Sequence, residues 1–376
     1  MAKKRGANEG SIYKRADGRW CATVDLGWES GKRKRKYLYG ETRAEVANQL
    51  TRVLSEKVQG LPIAIGGQTV AQFLTGWLDS AQPSIRPRTF ERFEGIVRLH
   101  IIPTLGRFRL DRLRAQHVQA LLNRKGREGL SAQSVKHIRT VLSIALNRAV
   151  KWNMIGRNVA ALTDAPKIER EPVATLSLEE ARKLLDAASG DRLEGLLSVA
   201  LAVGLRRGEA LGLSWSDVDL DAGVIRVSHS LQRVGGRLQL VAPKTSQSRR
   251  SIAIPEVVVK ALRRHRARQS EDRLAAGSGW QDSGLIFTSR VGTPIEPRNM
   301  IRAFKGLLKK AGLPAARFHD LRHTAASILL AQGVHPRAVM EILGHSRISL
   351  TMDTYSHVMP SVLREAADKM GLALGG

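Results

Sequence analysis

Near the end of the chain, Phe318-His319-Asp320-Leu321-Arg322-His323 is followed by Leu343-Gly344-His345-Ser346 and then by Asp353-Thr354-Tyr355-Ser356-His357-Val358. These segments supply a cationic clamp, Arg322 with His319 and His345, and one phenol, Tyr355. A tyrosine hydroxyl is a weak nucleophile, with a reference pKa of about 10. Neighbouring cations favour the phenolate and can hold an anionic electrophile beside it. A guanidinium fork with imidazole donors suits a phosphoryl group in transfer. Attack of such a phenol on a DNA phosphate would leave a covalent phosphotyrosine. Taken singly, each residue has a plainer role: His-x-x-Arg is a pair of neighbours on a helix face, a lone Tyr is half-buried packing, and Gly-His-Ser ends a helix. Taken together and in this order, with the upstream residues described below, they argue for a site.

The global balance points to the same class of ligand. Lys and Arg number 61 against 34 Asp and Glu, a net charge of +27 and a pI near 11.1. Such an excess fits a polyanion, nucleic acid before a membrane surface. It is not a basic tail, because residues 1–60, 61–165 and 166–376 each carry a basic surplus. A single cysteine, Cys21, excludes an internal disulfide, fits a reducing compartment and leaves no Cys cluster for zinc. Lys3, Lys4 and Arg5 are not followed by the apolar core of a signal peptide. The longest apolar run, Leu196 to Gly204, is too short to span a membrane. A soluble, cytoplasmic protein is expected.

The elements that must position these groups read as follows. Ser11–Lys14, Arg19–Leu26 and Lys32–Tyr39 have strand character, separated by turns at Ala16-Asp17-Gly18 and Glu29-Ser30-Gly31. Thr42 and Glu45 have capping-box spacing, and Val46, Leu50, Val53 and Leu54 form a helical stripe. A three-stranded sheet carrying one helix results. The run Lys32, Arg33, Lys34, Arg35 and Lys36 would place cations on both faces of its strand. Lys is common on edge strands for solubility, yet five successive cations beside Tyr37, Tyr39 and Trp20 favour DNA contact.

Leu61 to Gln68 reads as a linker, and about four helices follow. The first opens at Thr69 with a second capping box. Another runs from Arg88 to Ile101 and is expected to stop at Pro103; Ala115–Leu122 and Ser131–Val150 complete the set. Their polar faces are rich in cations, among them Arg86, Arg88, Lys136 and Arg139. A plain solvated surface would mix the signs, so these helices read as a phosphate-contacting module.

A second linker, Asp164 to Thr175, leads to a helix capped by Ser177 and an apolar helical stretch broken by Gly204-Leu205-Arg206-Arg207-Gly208-Glu209. Strands are expected at Val224–Leu231, Arg237–Val241 and Arg249–Ile254, with Lys244 on a hairpin tip between the last two. From Pro297 the chain is helical again, down to a last helix bearing Val362, Leu363, Ala366 and Met370.

The ordered set Gly-Leu-Arg-Arg-Gly-Glu, Pro-Lys-Thr, His-Asp-Leu-Arg-His, Leu-Gly-His-Ser and Asp-Thr-Tyr resembles the tyrosine recombinases, phage-type integrases above all. The resemblance covers the last half of the chain for the catalytic motifs; a looser likeness links the first 60 residues, with Ser-Ile-Tyr-Lys-Arg and Asp-Gly-Arg-Trp, to the arm-binding domain of such integrases. Val203 stands where many relatives have Thr, a position without a chemical role. The resemblance implies a mainly α, multidomain α+β protein. Residues 1–62 would be an arm-type DNA-binding domain, 63–168 a core-site-binding helical domain, and 169–376 the catalytic domain with a small antiparallel sheet.

It also implies roles. Arg206 and Arg322 would clamp the non-bridging oxygens of the scissile phosphate, and His319 and His345 would add hydrogen bonds. Lys244 would protonate the departing 5′ oxygen while Tyr355 forms a 3′-phosphotyrosine. Glu209, a helical turn beyond Arg206, would orient that shell, unless it is an ordinary exposed acid. His323 and His357 are left to packing or phosphate contact. No metal and no cofactor are expected: the sequence offers no carboxylate cluster for two magnesium ions, and the covalent intermediate stores the cleaved bond. The partners implied are double-stranded DNA at core-type and arm-type attachment sites, a homotetramer on synapsed DNA, and, for such integrases, a host DNA-bending protein and an excision factor. The function expected is integration or excision of a phage or mobile element. The alternatives are a chromosome-dimer-resolving recombinase, which usually lacks the arm-like domain, a nicking-closing topoisomerase of the same chemistry, and a non-catalytic DNA-binding repressor or accessory factor, which would have no reason to keep the ordered catalytic set.

Overall fold

The computed structural model describes residues 11–29, 32–58, 68–168, 175–243, 249–344, 367–368 and 370–374. The chain divides into two units, Met1–Arg170 and Glu171–Gly376.

In the first unit, β1 (Ser11–Lys14), β2 (Trp20–Glu29) and β3 (Lys32–Gly40) form an antiparallel sheet in that order. The register pairs Ala22 with both Ile12 and Leu38, so alternate residues share one face. On that face Ala22, Val24 and Leu38 pack against Val46, Leu50 and Val53 of α1 (Arg43–Val58). The expected cap is present, with the Glu45 N–H donating to Thr42 Oγ1 at 3.2 Å. The helical part comprises α2 (Val70–Ala81), α3 (Pro87–Ile96), α4 (Ala115–Arg127) and α5 (Ala132–Lys151) around Phe73, Leu74, Val97, Ile101, Leu121, Leu142 and Leu146. Thr69 and Gln72 exchange both bonds of their capping box, at 3.2 and 2.9 Å.

Pro103 does not stop its helix. α3 runs into a π-helical turn, Val97–Ile101, followed by a further α-turn, Ile102–Leu105. Proline has no N–H for a carbonyl one turn back, and the widened turn absorbs that loss, with the Ile102 N–H reaching the Val97 carbonyl.

The second unit is built round α7 (Glu194–Val203), whose residues are almost all buried. A helix apolar on every side belongs inside a core. Around it lie α6 (Leu178–Ala187), the short α8 (Arg207–Leu211), α9 (Glu256–Ala276), α10 (Pro297–Lys310) and α11 (Asp320–Ala331), with α12 (Pro336–Leu343) last. Ser177 and Glu180 form the expected capping box on α6.

The β-part differs from expectation. The stretch read as one strand is two: β5 (Val224–Val227) pairs with β4 (Val218–Asp219) and β8 (Arg250–Ala253), while β6 (Ser230–Val234) pairs with β7 (Arg237–Val241). Between them the Ser228 hydroxyl donates to the Asp217 carboxylate, and the chain changes sheets at Ser228-His229. Among the described residues β7 pairs with β6 and β8 with β5, and β7 and β8 do not pair with each other; Lys244, expected on a hairpin tip between them, lies outside the described residues. The helix expected at Val362–Met370 is described only at 367–368 and 370–374.

Candidate active site

Gly204 ends α7 in the left-handed conformation, φ 61° and ψ 37°, which glycine adopts without strain. A Cβ there would also come within 2.4 Å of Leu343 Cδ2, so the glycine lets α12 close on this turn. Its carbonyl accepts Nη1 of Arg322 at 2.8 Å. Two residues on, Arg206 is the N-cap of α8. One turn of chain therefore gathers both arginines. Arg322 is only 3% exposed, while the Arg206 side chain is 39% exposed and reaches solvent.

Glu209 fixes Arg206 twice. One carboxylate oxygen accepts the Arg206 backbone N–H at 3.1 Å and the other accepts Nη1 at 2.6 Å. Arg206 Nη2 donates to the Gly344 carbonyl at 3.1 Å. Glu209 is buried, not an exposed helix acid. Burial alone would raise its carboxyl; the guanidinium groups of Arg250 and Arg206 outweigh that and hold it below the ordinary carboxylate value. With Arg206, Arg250 and Arg322 against this one carboxylate, the cluster remains cationic and suits a phosphate anion.

His319 precedes α11, one turn before Arg322 and His323. Its ring lies perpendicular to that of His323, with centroids 5.4 Å apart. Protein atoms crowding the His319 imidazole, and after them the Arg322 charge, hold its pKa below the usual imidazole value. His323 is lowered likewise, by burial first and then by His319. Asp320 anchors this helix start by accepting from the Arg317 guanidinium at 2.8 Å and from its backbone N–H.

Arg206, Glu209, His319 and Arg322 thus lie in the second unit, with the two arginines joined at the 204–206 turn. Lys244, His345 and Tyr355 lie outside the described residues, as does His357. Arg250 carried no role in the sequence reading. Its strand held the clue: Ile252 and Ile254 are buried while Arg249, Ser251 and Ala253 are exposed, so period-two alternation turns Arg250 inward with the isoleucines.

The expected DNA-contact residues belong to the first unit. Lys32, Arg33, Lys34, Arg35 and Lys36 lie along the edge strand β3, with Arg35 exposed and Lys36 half-buried. Arg86 and Lys136 are exposed, and Arg88, also exposed, pairs with Glu91 at 3.0 Å. Arg139 is placed differently: Nε donates to the Thr163 carbonyl at 2.9 Å and Nη2 to the Ala161 carbonyl at 3.2 Å, strapping the segment after α5 to the bundle. Among the described residues, no cluster of His, Cys, Asp and Glu has the geometry to hold a metal ion, and no helix is long and apolar enough to cross a membrane.

Comparison with known proteins agrees with this geometry. Residues 174–361 match the phage integrase family, and residues 69–126 match the phage integrase N-terminal SAM-like domain. A tyrosine recombinase XerC-like protein of Caldanaerobacter subterraneus subsp. tengcongensis is 33% identical, over 98% of this chain and 99% of its own length. An integrase of Streptomyces ambofaciens is 34% identical over 98% and 97%. The Tn1549 transposon integrase, solved in complex with a circular intermediate DNA, aligns with a TM-score of 0.67 and 25% identity over 80% of this chain and 99% of that one. The family match spans the unit that holds the two-arginine turn, and the chain belongs to the phage integrase family as a tyrosine-type site-specific recombinase.

Proposed function

We propose that this recombinase is an integrase that joins the attachment site of a mobile element to a host site and can reverse the step. Arg206 and Arg322 grip the non-bridging oxygens of the scissile phosphate, with His319 and His345 adding hydrogen bonds as negative charge develops. Tyr355 gives up its proton and attacks phosphorus; the bond from phosphorus to the 5′ oxygen breaks and Lys244 supplies that oxygen with a proton. The 3′-phosphotyrosine is then attacked by a 5′ hydroxyl of the other duplex, which releases Tyr355 and restores the phosphodiester. Energy is conserved in the covalent bond, so no nucleotide is consumed.

The observation that carries this reading is the convergence of Arg206 and Arg322 on one turn, with Glu209 fixing the first. Such preorganised donors are worth most where charge appears only in the transition state. Residues 1–62 serve as an arm-site domain, 63–168 hold the core site, and 169–376 do the chemistry. Exchange between two duplexes cuts four strands; with one nucleophile per chain the working assembly is a homotetramer on DNA, helped by a DNA-bending protein and an excision factor.

The test uses a core-site duplex taken from the element's own junctions and nicked beside the cleavage point, so that the cut end diffuses away. A protein–DNA adduct that survives denaturant is expected, and after proteolysis the nucleotide-bearing peptide should map to Tyr355. An adduct on another residue, or none, overturns the proposal.

A further inference from the structure

We infer that Arg250 is a positioning residue for strand cleavage, coupling the strand after Lys244, the carboxylate behind Arg206 and the helix end before His345. This inference rests on the reading of Arg206 as a phosphate clamp. Arg250 opens β8, the first described strand after Lys244. Its side chain is 8% exposed, so its contacts are made inside the protein. Nη2 donates to Glu209 Oε2 at 3.2 Å, the same oxygen that accepts the Arg206 backbone N–H. Nε donates to the Ile342 carbonyl at 2.7 Å, in the last turn of α12. Carbonyls there have run out of intrahelical donors and carry the negative end of the helix dipole, which favours a cation.

The next turn of chain completes the connection. Gly344 is left-handed, φ 67°, and its carbonyl accepts Arg206 Nη2 at 3.1 Å. A Cβ at Gly344 would stand 2.9 Å from Arg250 Nη1, so the bare glycine also makes room for this guanidinium. Arg206 and Arg250 thus bracket one buried carboxylate on one side and the end of α12 on the other. Without the fork of Arg250, Glu209 could follow Arg206 in its movements, and α12 would lose a donor just before His345. The expected consequence is a clamp that still binds DNA but holds the phosphate loosely, since misplacement by about 1 Å costs about 100-fold in rate.

The test compares wild type, Arg250→Met and Arg206→Lys, all as full chains, on two nicked core-site duplexes. One carries the natural scissile phosphate. In the other it is a methylphosphonate, in which a neutral methyl replaces one charged non-bridging oxygen. On the phosphate, Arg250→Met should form the covalent adduct about 100-fold slower than wild type with DNA affinity little changed. On the methylphosphonate the charge that the clamp balances is gone, so the gap from wild type should largely close for both variants. Arg250→Met as fast as wild type on the phosphate, or equally impaired on both duplexes, would overturn the inference and leave Arg250 a purely structural residue. Arg206→Lys indifferent to the change of substrate would instead bring down the reading of Arg206 itself. If Arg250→Met loses its cooperative thermal unfolding, Arg250→Lys carries the same comparison, because a lysine keeps the buried cation and loses the two-armed geometry.

Discussion

Cations are dense in both the helical bundle of the first unit and the clamp of the second, but the two regions hold them differently. On the bundle most stand in solvent, some pairing loosely along their own helix as Arg98 does with Glu94 at 2.9 Å while 65% exposed. Such pairs are worth about 0.2 to 1 kcal/mol and are screened by salt. Around Gly204 the guanidinium groups are fixed on backbone carbonyls and a buried acid, with Arg322 3% exposed. A cation in solvent can meet a phosphate anywhere along a duplex, whereas one locked in place stabilises charge at a single point. On the proposed function, the first arrangement would serve affinity and the second rate.

The sharpest separation comes from Tyr355→Phe. Deleting one hydroxyl should abolish the covalent adduct and all recombination while leaving DNA affinity unchanged in a gel-shift titration, because the bundle and its cations are untouched. Any denaturant-resistant adduct from the variant would show that another residue attacks. Lys244→Ala should come next, slowing cleavage by about 100- to 10,000-fold, the range for a lost general acid. A duplex with sulfur at the 5′ bridging position has a leaving group that departs without a proton, and on it most of the loss should be recovered. Equal slowness on both duplexes would make Lys244 a DNA-holding residue of the kind proposed for the bundle.

How much of this was legible in the sequence follows the same division. The placement of Arg206, Glu209, His319 and Arg322 could be read because each motif is local: Arg206 and Glu209 are one helical turn apart, as are His319 and Arg322. Capping boxes at Thr69 and Ser177 were legible for the same reason. What escaped depends on partners distant in sequence. Arg250 reaches Ile342 and Glu209, and Arg139 reaches Thr163. A count of charges on a helix face cannot tell a guanidinium bound for DNA from one bound to its own domain. The break at Ser228-His229 was hidden because Ile225, Val227 and Leu231 keep one period-two register across it, so the three polar residues Ser228, His229 and Ser230 read as an interruption within a single strand. Pro103 read as a stop because the widened turn that accommodates it leaves no trace in composition.

Two residues one helical turn apart in the bundle, Lys136 and Arg139, test that reading directly. Lys136→Ala should weaken binding to all sequences alike and reduce the salt dependence of log affinity by about one, the signature of one lost phosphate contact. Arg139→Ala should leave the salt slope alone and lower stability by about 1 to 3 kcal/mol, since it strips the strap from the Ala161 and Thr163 carbonyls. The reverse pattern would place Arg139 on the DNA.

The smallest effect expected is on stability against pH, and it belongs mostly to the second unit. His265 is buried, with Nε2 2.8 Å from the Ile286 carbonyl, and burial lowers its pKa. His319 and His323 are lowered too, as described above, and in the first unit burial and then Lys125 lower His100. In the unfolded chain these imidazoles take up protons near their ordinary value of about 6.5, whereas in the fold they refuse them until the pH is lower. The unfolded state therefore binds more protons, and stability rises with pH through this range. Its contribution is fully present above about 6.5 and is lost as pH falls through the lowered folded values. The thermal midpoint of the DNA-free protein should accordingly hold steady from about pH 8 to 7 and fall as pH drops below about 6.5. His265→Gln should flatten that fall without altering cleavage at pH 7.5, because His265 packs on Phe287 behind the core rather than on the clamp. A midpoint that rises on acidification through this window would mean the imidazoles are charged in the folded state and already paired with anions.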